Sequence, residues 1–253
     1  MTSQTVRIGR RAVRVADDQP TFWDRVAAGR WEPATLAALD RLIEPGVTFL
    51  DLGAWVGPTA LYAAGVTRRV IAVEADPAAL DQLHRNLAVN QDLAGRIEVV
   101  PRAVHALEGT VTMGARRKPG DSMSSVLLSA AERSWEAATI TPGGLAAMIA
   151  GDERLIIKID IEGAEYQLLP SLRPLLDHAE AVLISFHPAI LAEAVVEPTE
   201  RARRTRAALA AFAGFRAQAL NATSARGASL APLLVRWGLR RDLPGEDWLF
   251  TRR

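Results

Sequence analysis

The run Lys158-Ile159-Asp160-Ile161-Glu162-Gly163-Ala164-Glu165 follows directly on Leu155-Ile156-Ile157. Three carboxylates this close behind an apolar, β-branched stretch do not suit a strand that stays buried. They do not suit a surface helix either, whose first turn would not be so apolar. They fit a strand that ends at a pocket and delivers its charges there. In an open α/β sheet, ligands bind outside the carboxyl ends of the parallel strands. The stretch therefore predicts a fold and a site together.

Upstream of it the same strand-to-helix rhythm repeats. Val47–Leu50 reads as a short strand, and Gly57-Pro58-Thr59 opens a helix through Ala64. Arg69–Val73 is a second strand. Asp76-Pro77 starts a helix with Leu80, Leu83 and Leu87 on one face, and Arg96–Val100 is a third strand. Gly143–Ala150 is a short helix, Leu155–Ile159 the fourth core strand and Val182–Phe186 the fifth. Glu200–Phe212 is a late helix, and Phe215–Leu220 and Trp248–Thr251 suit a final antiparallel pair. Such alternation predicts an α/β fold with an open, doubly wound, mostly parallel sheet.

Two regions depart from the rhythm within what reads as a single domain over residues 1–253. Residues 1–46 form an N-terminal extension, with an edge hairpin over Val6–Val15 and helices over Phe22–Gly29 and Pro33–Ile43. Pro33 suits a first helical position. Residues 109–141 read as an inserted β segment, with short strands over Thr110–Met113 and Met123–Leu128 around the basic loop Arg116-Arg117-Lys118-Pro119-Gly120. The stretch from Asn221 to Leu243 has no assignable pattern.

Composition narrows the function classes. At 49% hydrophobic and 23% charged, the chain has the makings of a globular protein with a full core. A formal net charge of +1 gives no basic field that would recommend nucleic acid. The absence of cysteine excludes disulfides and thiolate chemistry and is compatible with a cytoplasmic home. The N-terminus has no apolar signal region, and no apolar run approaches the ~20 residues of a membrane span, so no membrane role is expected. Association into a homo-oligomer is left open.

The first strand ends in Phe49-Leu50-Asp51-Leu52-Gly53-Ala54-Trp55-Val56-Gly57. Gly53 can turn sharply and bring backbone close to a ligand, and Gly57 can do the same at the helix start. The helix N-terminus then offers free N–H groups to an anionic group. The spacing is not Gly-x-Gly-x-x-Gly, so the dinucleotide fingerprint is not met, and Asp51 would repel a pyrophosphate. Glu74, at the end of the second strand, stands where an acid takes the hydroxyls of a ribose. Asp51, Gly53, Gly57 and Glu74 together describe a pocket for a nucleoside with an amino-acid tail, the shape of S-adenosylmethionine. Each element alone is also a plain turn or a solvated strand end; their order along the chain is what favours the pocket.

The same residues resemble a known family. Asp51 to Gly57, the turn Glu74-Ala75-Asp76-Pro77, Arg102-Ala103-Val104 and Lys158 to Glu165 are similar to the FkbM family of S-adenosylmethionine-dependent class I methyltransferases. The resemblance spans roughly Phe49 to His187, and the Lys158–Glu165 run is its most specific part. It implies a Rossmann-like fold and methyl transfer to a hydroxyl oxygen of a sugar, nucleoside or other secondary-metabolite acceptor. It also implies that Asp51, Gly53 and Gly57 hold the methionine portion, with Ala54, Trp55 and Thr59 among the cofactor-binding residues, and that Glu74 binds the ribose. Ala103 would present its N–H to adenine, and Asp160 would face donor and acceptor. Trp55 is bulkier than usual for its position. It either covers the cofactor or packs under the N-terminal helices.

An alcohol is a poor nucleophile, so a base or metal must help it lose its proton. Asp160, Glu162 and His187 are the candidates, and His187 is expected to accept a proton near neutral pH. Strand alternation is expected to point Lys158 away from Asp160 or Glu162. The three candidates are ligand types suited to magnesium or a transition metal. The sequence shows no dense ligand cluster, and a metal is not favoured. His84, His105 and His178 read as structural or solvated. Trp23, Trp31 and Trp135 lie in the regions expected to wall the acceptor, and Asp121 to Ser125 offer polar contacts. Arg201, Arg203, Arg204 and Arg206 read as a solvated face. The competing readings are N-methyl transfer on the same fold and a catalytically inactive nucleoside-binding protein. A nicotinamide oxidoreductase is disfavoured by Asp51 and the missing glycine fingerprint.

Overall fold

A computed structural model describes residues 2–16, 18–115, 120, 124–128, 133–152, 154–221, 235 and 247–252. The Arg116-Arg117-Lys118 loop, Asp121 to Met123 and nearly all of the unassigned stretch after Asn221 lie outside the described residues. The chain begins with the hairpin β1 (Ser3–Ile8) and β2 (Arg11–Ala16), followed by α1 (Pro20–Ala27) and α2 (Pro33–Leu42). The repeating unit runs through β3 (Thr48–Leu52), α3 (Pro58–Ala64), β4 (Arg69–Glu74), α4 (Pro77–Ala88), α5 (Gln91–Ala94) and β5 (Ile97–Pro101). The inserted segment holds β6 (Ala103–Val104), β7 (Thr110–Ala115), β8 (Ser124–Ser125) and β9 (Ser134–Ile140). Next come α6 (Pro142–Met148), β10 (Leu155–Ile159), α7 (Glu165–Leu168), α8 (Arg173–Leu176) and β11 (Ala179–Ser185). The chain finishes with α9 (Pro188–Ala194), α10 (Pro198–Ala210), β12 (Phe215–Ala219) and β13 (Asp247–Arg252).

Proline opens α1, α2, α3, α4, α6, α9 and α10. Its fixed φ suits the first turn, where its missing N–H would have had no partner. The main sheet has the order β12-β13-β11-β10-β3-β4-β5. Counted along the chain, its seven strands lie in space as 3-2-1-4-5-7-6. β5, β4, β3, β10 and β11 are parallel neighbours, and β13 runs antiparallel to both β11 and β12. This is the open, mostly parallel, doubly wound sheet that the sequence predicts, including the final antiparallel pair.

Alternation along the strands feeds two cores, one on each face. Leu50, Leu52, Ile157 and Ile159 join one core with α7, α8 and α10. Phe49, Ile156 and Leu183 join the other, with Trp23, Leu36 and Leu39 of α1 and α2 and Val6, Ile8 and Val15 of the hairpin. The N-terminal extension is therefore built into the core of one sheet face.

Two expectations are corrected here. The hairpin is not an edge of the main sheet but a separate two-stranded sheet. The backbone of β2 pairs instead with side-chain amides of α4 and its C-terminal end. Ala16 N donates to Asn86 Oδ1 (2.8 Å) and Arg14 N to Asn90 Oδ1 (3.0 Å). In the insertion, the strand expected over Met123–Leu128 is confined, among its described residues, to Ser124–Ser125 (β8). Val126–Leu128 is a 3-10 turn, and the long strand is β9, pairing antiparallel with β7 and parallel with β6. The polar alternation of β9 (Ser134, Glu136) lacked the apolar content that marks a strand in sequence.

Candidate active site

β3 has β4 on one side and β10 on the other, so the chain reverses its direction of travel across the sheet at this strand. A cavity of about 310 Å³ opens at the carboxyl ends of these strands. Its position is the switch point where open α/β sheets take ligands, and its volume lies in the range of small-molecule sites.

The β3 end is shaped by a close approach. Gly53 has φ of +83°, and a Cβ there would lie 1.8 Å from the carbonyl oxygen of Asp160. Only glycine lets the β3 and β10 ends come this close. Gly53, Ala54, Trp55 and Thr59 line the cavity, whereas Asp51 and Gly57 stand behind its wall. Asp51 is fully buried and accepts a hydrogen bond from Thr59 Oγ1 (2.6 Å). In register beside it on β10 is Lys158. Lys158 Nζ lies 2.9 Å from Asp160 Oδ2 and 3.9 Å from Asp51 Oδ1. The expectation that Lys158 points away from Asp160 is thus reversed: residues two apart on a strand share a face. Burial pushes the Asp51 carboxyl up to about 6, with Lys158 opposing the rise. Burial works against the Lys158 charge, yet Asp160, Asp51 and Glu32 hold its ammonium well above the usual lysine range.

Glu74, at the end of β4, faces the cavity and organises the backbone around it. Its Oε2 accepts from Trp55 N (2.8 Å), and its Oε1 accepts from Ala75 N and Asp76 N (both 2.8 Å). Oε2 keeps acceptor capacity for a hydroxyl. Burial raises this carboxyl above its ordinary value despite the three N–H bonds. Trp55 takes both roles considered for it. Its ring lies edge-on to Phe22 of α1 at 4.5 Å, and its indole N–H donates to Gly120 O (3.0 Å) while it lines the cavity.

In sequence Asp76 marks a helix start. It caps α4 through Ala78 N and also accepts from Gly120 N (2.6 Å) and Ser124 Oγ (2.8 Å), tying the insertion down over the pocket. Ala103, Val104, Met113 and Val126 supply an apolar wall from that side.

The acidic end of β10 completes the wall. His187, at the start of α9, places Nδ1 3.0 Å from Glu165 Oε1, which also accepts from Ile161 N (3.0 Å). His187 Nε2 lies 3.6 Å from Asp160 Oδ1 and 3.5 Å from Glu162 Oε2. Burial opposes a charge on His187, but Glu165, Asp160 and Glu162 together push it up to about 10. The three acids thus favour the protonated ring, a shift opposite to one that would free it to accept a proton near neutrality. Burial raises Glu162 to about 7, with His187 opposing. Asp160 is held below the usual carboxylate range: Lys158 and His187 outweigh its burial.

Sequence reasoning missed Glu32 and Asp247, which add two more acids to the wall. Burial pushes Glu32 up to about 7, Lys158 opposing, and its Oε2 has no hydrogen-bond partner. Glu32 has φ of +40°, and with Trp55 (+49°) and Glu162 (+52°) it completes the non-glycine left-handed residues among those described. All three line the cavity. Strain of this kind concentrates at ligand and active sites.

The sheet order and the pocket at its switch point are those of the Rossmann-like class I methyltransferase architecture. Residues 51–216 match the family model described as the methyltransferase FkbM domain. That span is more than half of the chain, and the protein belongs to the FkbM methyltransferase family. Among solved structures it is similar to the methyltransferase FkbM from Methylobacillus flagellatus KT, at 17% identity and a TM-score of 0.47, over 94% of this chain and 56% of that one. It is also similar to a putative rRNA-methylase from Clostridium thermocellum (8%, TM-score 0.45, 86% and 94% covered). A third is a precorrin-6y C5,15-methyltransferase from Geobacter metallireducens GS-15 (13%, TM-score 0.39, 73% and 71% covered). The chain thus spans little more than half the length of the FkbM structure it matches. No curated protein matches it. No helix among the described residues is long and apolar enough to cross a membrane.

Proposed function

We propose that the chain transfers a methyl group from S-adenosylmethionine to a hydroxyl oxygen of a small molecule. The observation that carries this reading is the joining of two unlike walls in one cavity. Glu74, Ala103 and the β3 end line it together with Asp160, Glu162 and His187. The donor chemistry fits. Glu74 offers a carboxylate oxygen to a ribose hydroxyl, and Ala103, Val104, Met113 and Val126 offer an apolar bed to a base. Among the lining side chains the acids Glu32, Glu74, Asp160, Glu162 and Asp247 outnumber Arg102, Lys158 and His187, which suits a ligand carrying ammonium and sulfonium charge.

When bound, S-adenosylmethionine supplies an electrophilic methyl on a sulfonium, and its transfer leaves a neutral thioether. The chain's part is alignment, which alone supplies much of the rate in such displacements. Asp160, fixed by Lys158 on one oxygen, presents the other to the acceptor's side of the cavity. The Asp160–Glu162–His187 corner holds the acceptor hydroxyl, and one of its carboxylates takes the proton. The inserted segment and Trp55 cover the site and exclude water. Calorimetry tests this: S-adenosylhomocysteine binds and NAD does not, and Glu74→Gln weakens the binding about tenfold, the cost of one charge-assisted hydrogen bond. Binding of NAD in place of S-adenosylhomocysteine would refute the reading.

A further inference from the structure

We infer that Asp160, Glu162 and His187 form a binding site for a divalent cation of the magnesium–manganese class. One ligand atom from each lies within 4.8 Å of the other two. His187 Nε2 stands 3.6 Å from Asp160 Oδ1 and 3.5 Å from Glu162 Oε2, too far for good hydrogen bonds. The spacing matches ligands around one ion. At metal–ligand bonds of about 2.1 Å, neighbouring donor atoms stand about 3.0–3.4 Å apart. A small inward shift would complete the set.

A second observation concerns what lies behind the ligands. Glu165 is fully buried, accepts from Ile161 N and engages His187 Nδ1 at 3.0 Å. A carboxylate behind a histidine in this way is the usual outer partner of a metal-binding imidazole, fixing its tautomer and aiming the other nitrogen. Asp160 is divided likewise: Lys158 holds Oδ2 at 2.9 Å and leaves Oδ1 to the corner. Glu162 makes no hydrogen bond among the described residues and lines the cavity. Two carboxylates with one imidazole favour a hard or borderline ion, and the open cavity leaves positions for water or a ligand oxygen.

The cation's role rests on the methyl-transfer reading, but the site itself does not. In that role the ion binds the acceptor oxygen and eases loss of its proton. Glu165 is then a positioning residue.

The test uses the full chain and Mn²⁺ alone, with no cofactor present. Histidine-ring NMR of the wild type, at sub-stoichiometric Mn²⁺, should broaden His187 before His84, His105 and His178. The His187 signal is assigned by its loss in His187→Gln. Calorimetry should show one Mn²⁺ site, lost in Asp160→Asn/Glu162→Gln and weakened tenfold or more in Glu165→Gln at unchanged thermal stability. Equal broadening of all four rings, or Mn²⁺ binding that survives the double substitution, would overturn the site. Parallel titration with S-adenosylhomocysteine separates the two readings. Its binding without a Mn²⁺ site removes the cation alone. A Mn²⁺ site without its binding removes the methyl-transfer reading and leaves the cation site standing.

Discussion

Lys158 shows how one residue sets the character of the whole corner. It is buried between Asp51 and Asp160; Asp51 takes its counter-charge from it, and Asp160 shares it with His187. Replacing it with methionine should cost about 3–5 kcal/mol at neutral pH, because the fully buried Asp51 then keeps only the Thr59 hydroxyl and Asp160 only His187. The sign of the pH dependence follows from Asp51. Its folded value, about 6, lies above its unfolded value of 3.8, so the stability tied to its proton is full below about pH 4 and is lost as pH rises through 6. Without Lys158 the folded value rises further. The deficit of Lys158→Met should therefore shrink as pH falls from 7 to 5, measured by urea unfolding; a deficit constant with pH would contradict this. Gly53 is the second decisive residue. Gly53→Ala places a methyl group against Asp160 O at a positive φ and should lose roughly 3 kcal/mol or more, with ligand binding. Neither effect was visible in sequence in the same way. Gly53 was legible as a turn glycine. The Lys158–Asp51 pair was not, because it depends on the register between two strands far apart in the chain.

At the scale of elements, the inserted segment is the part whose attachment matters most. Asp76 holds it through Gly120 N and Ser124 Oγ while capping α4, and Trp135 donates to Ala75 O (3.3 Å). Asp76→Ala should cost about 1–2 kcal/mol for the cap and its ties. It should also speed amide exchange in β7 and β9 more than in β3 or β10. Equal exchange across these strands would show that the insertion is held by other contacts. The parallel strands and their helices were legible in sequence, because apolar β-branched runs alternate with proline-started helices. The insertion was read only in part. β9 is half polar, and its pairing with β6 and β7 is non-local. The hairpin was legible as a hairpin, but its docking was not. Nothing local says that Asn86 and Asn90 on and just beyond α4 replace a strand partner.

For the molecule as a whole, the sheet order brings residues from the first, second and fourth core strands, α2 and the insertion to a single cavity at the switch point. The sequence foresaw most of that wall, because strand ends are where an open parallel sheet exposes its polar residues. Glu32 and Asp247 escaped, since they arrive from distant elements that carry no motif. The central claim is that this cavity binds the nucleoside of a methyl donor through Glu74 and the β3 end. Calorimetric titration of the full chain with S-adenosylhomocysteine tests it most directly. The account predicts one site per chain, about tenfold weaker in Glu74→Gln, with no heat on titration with NAD. Absence of binding to S-adenosylhomocysteine, or affinity indifferent to Glu74→Gln, would contradict it.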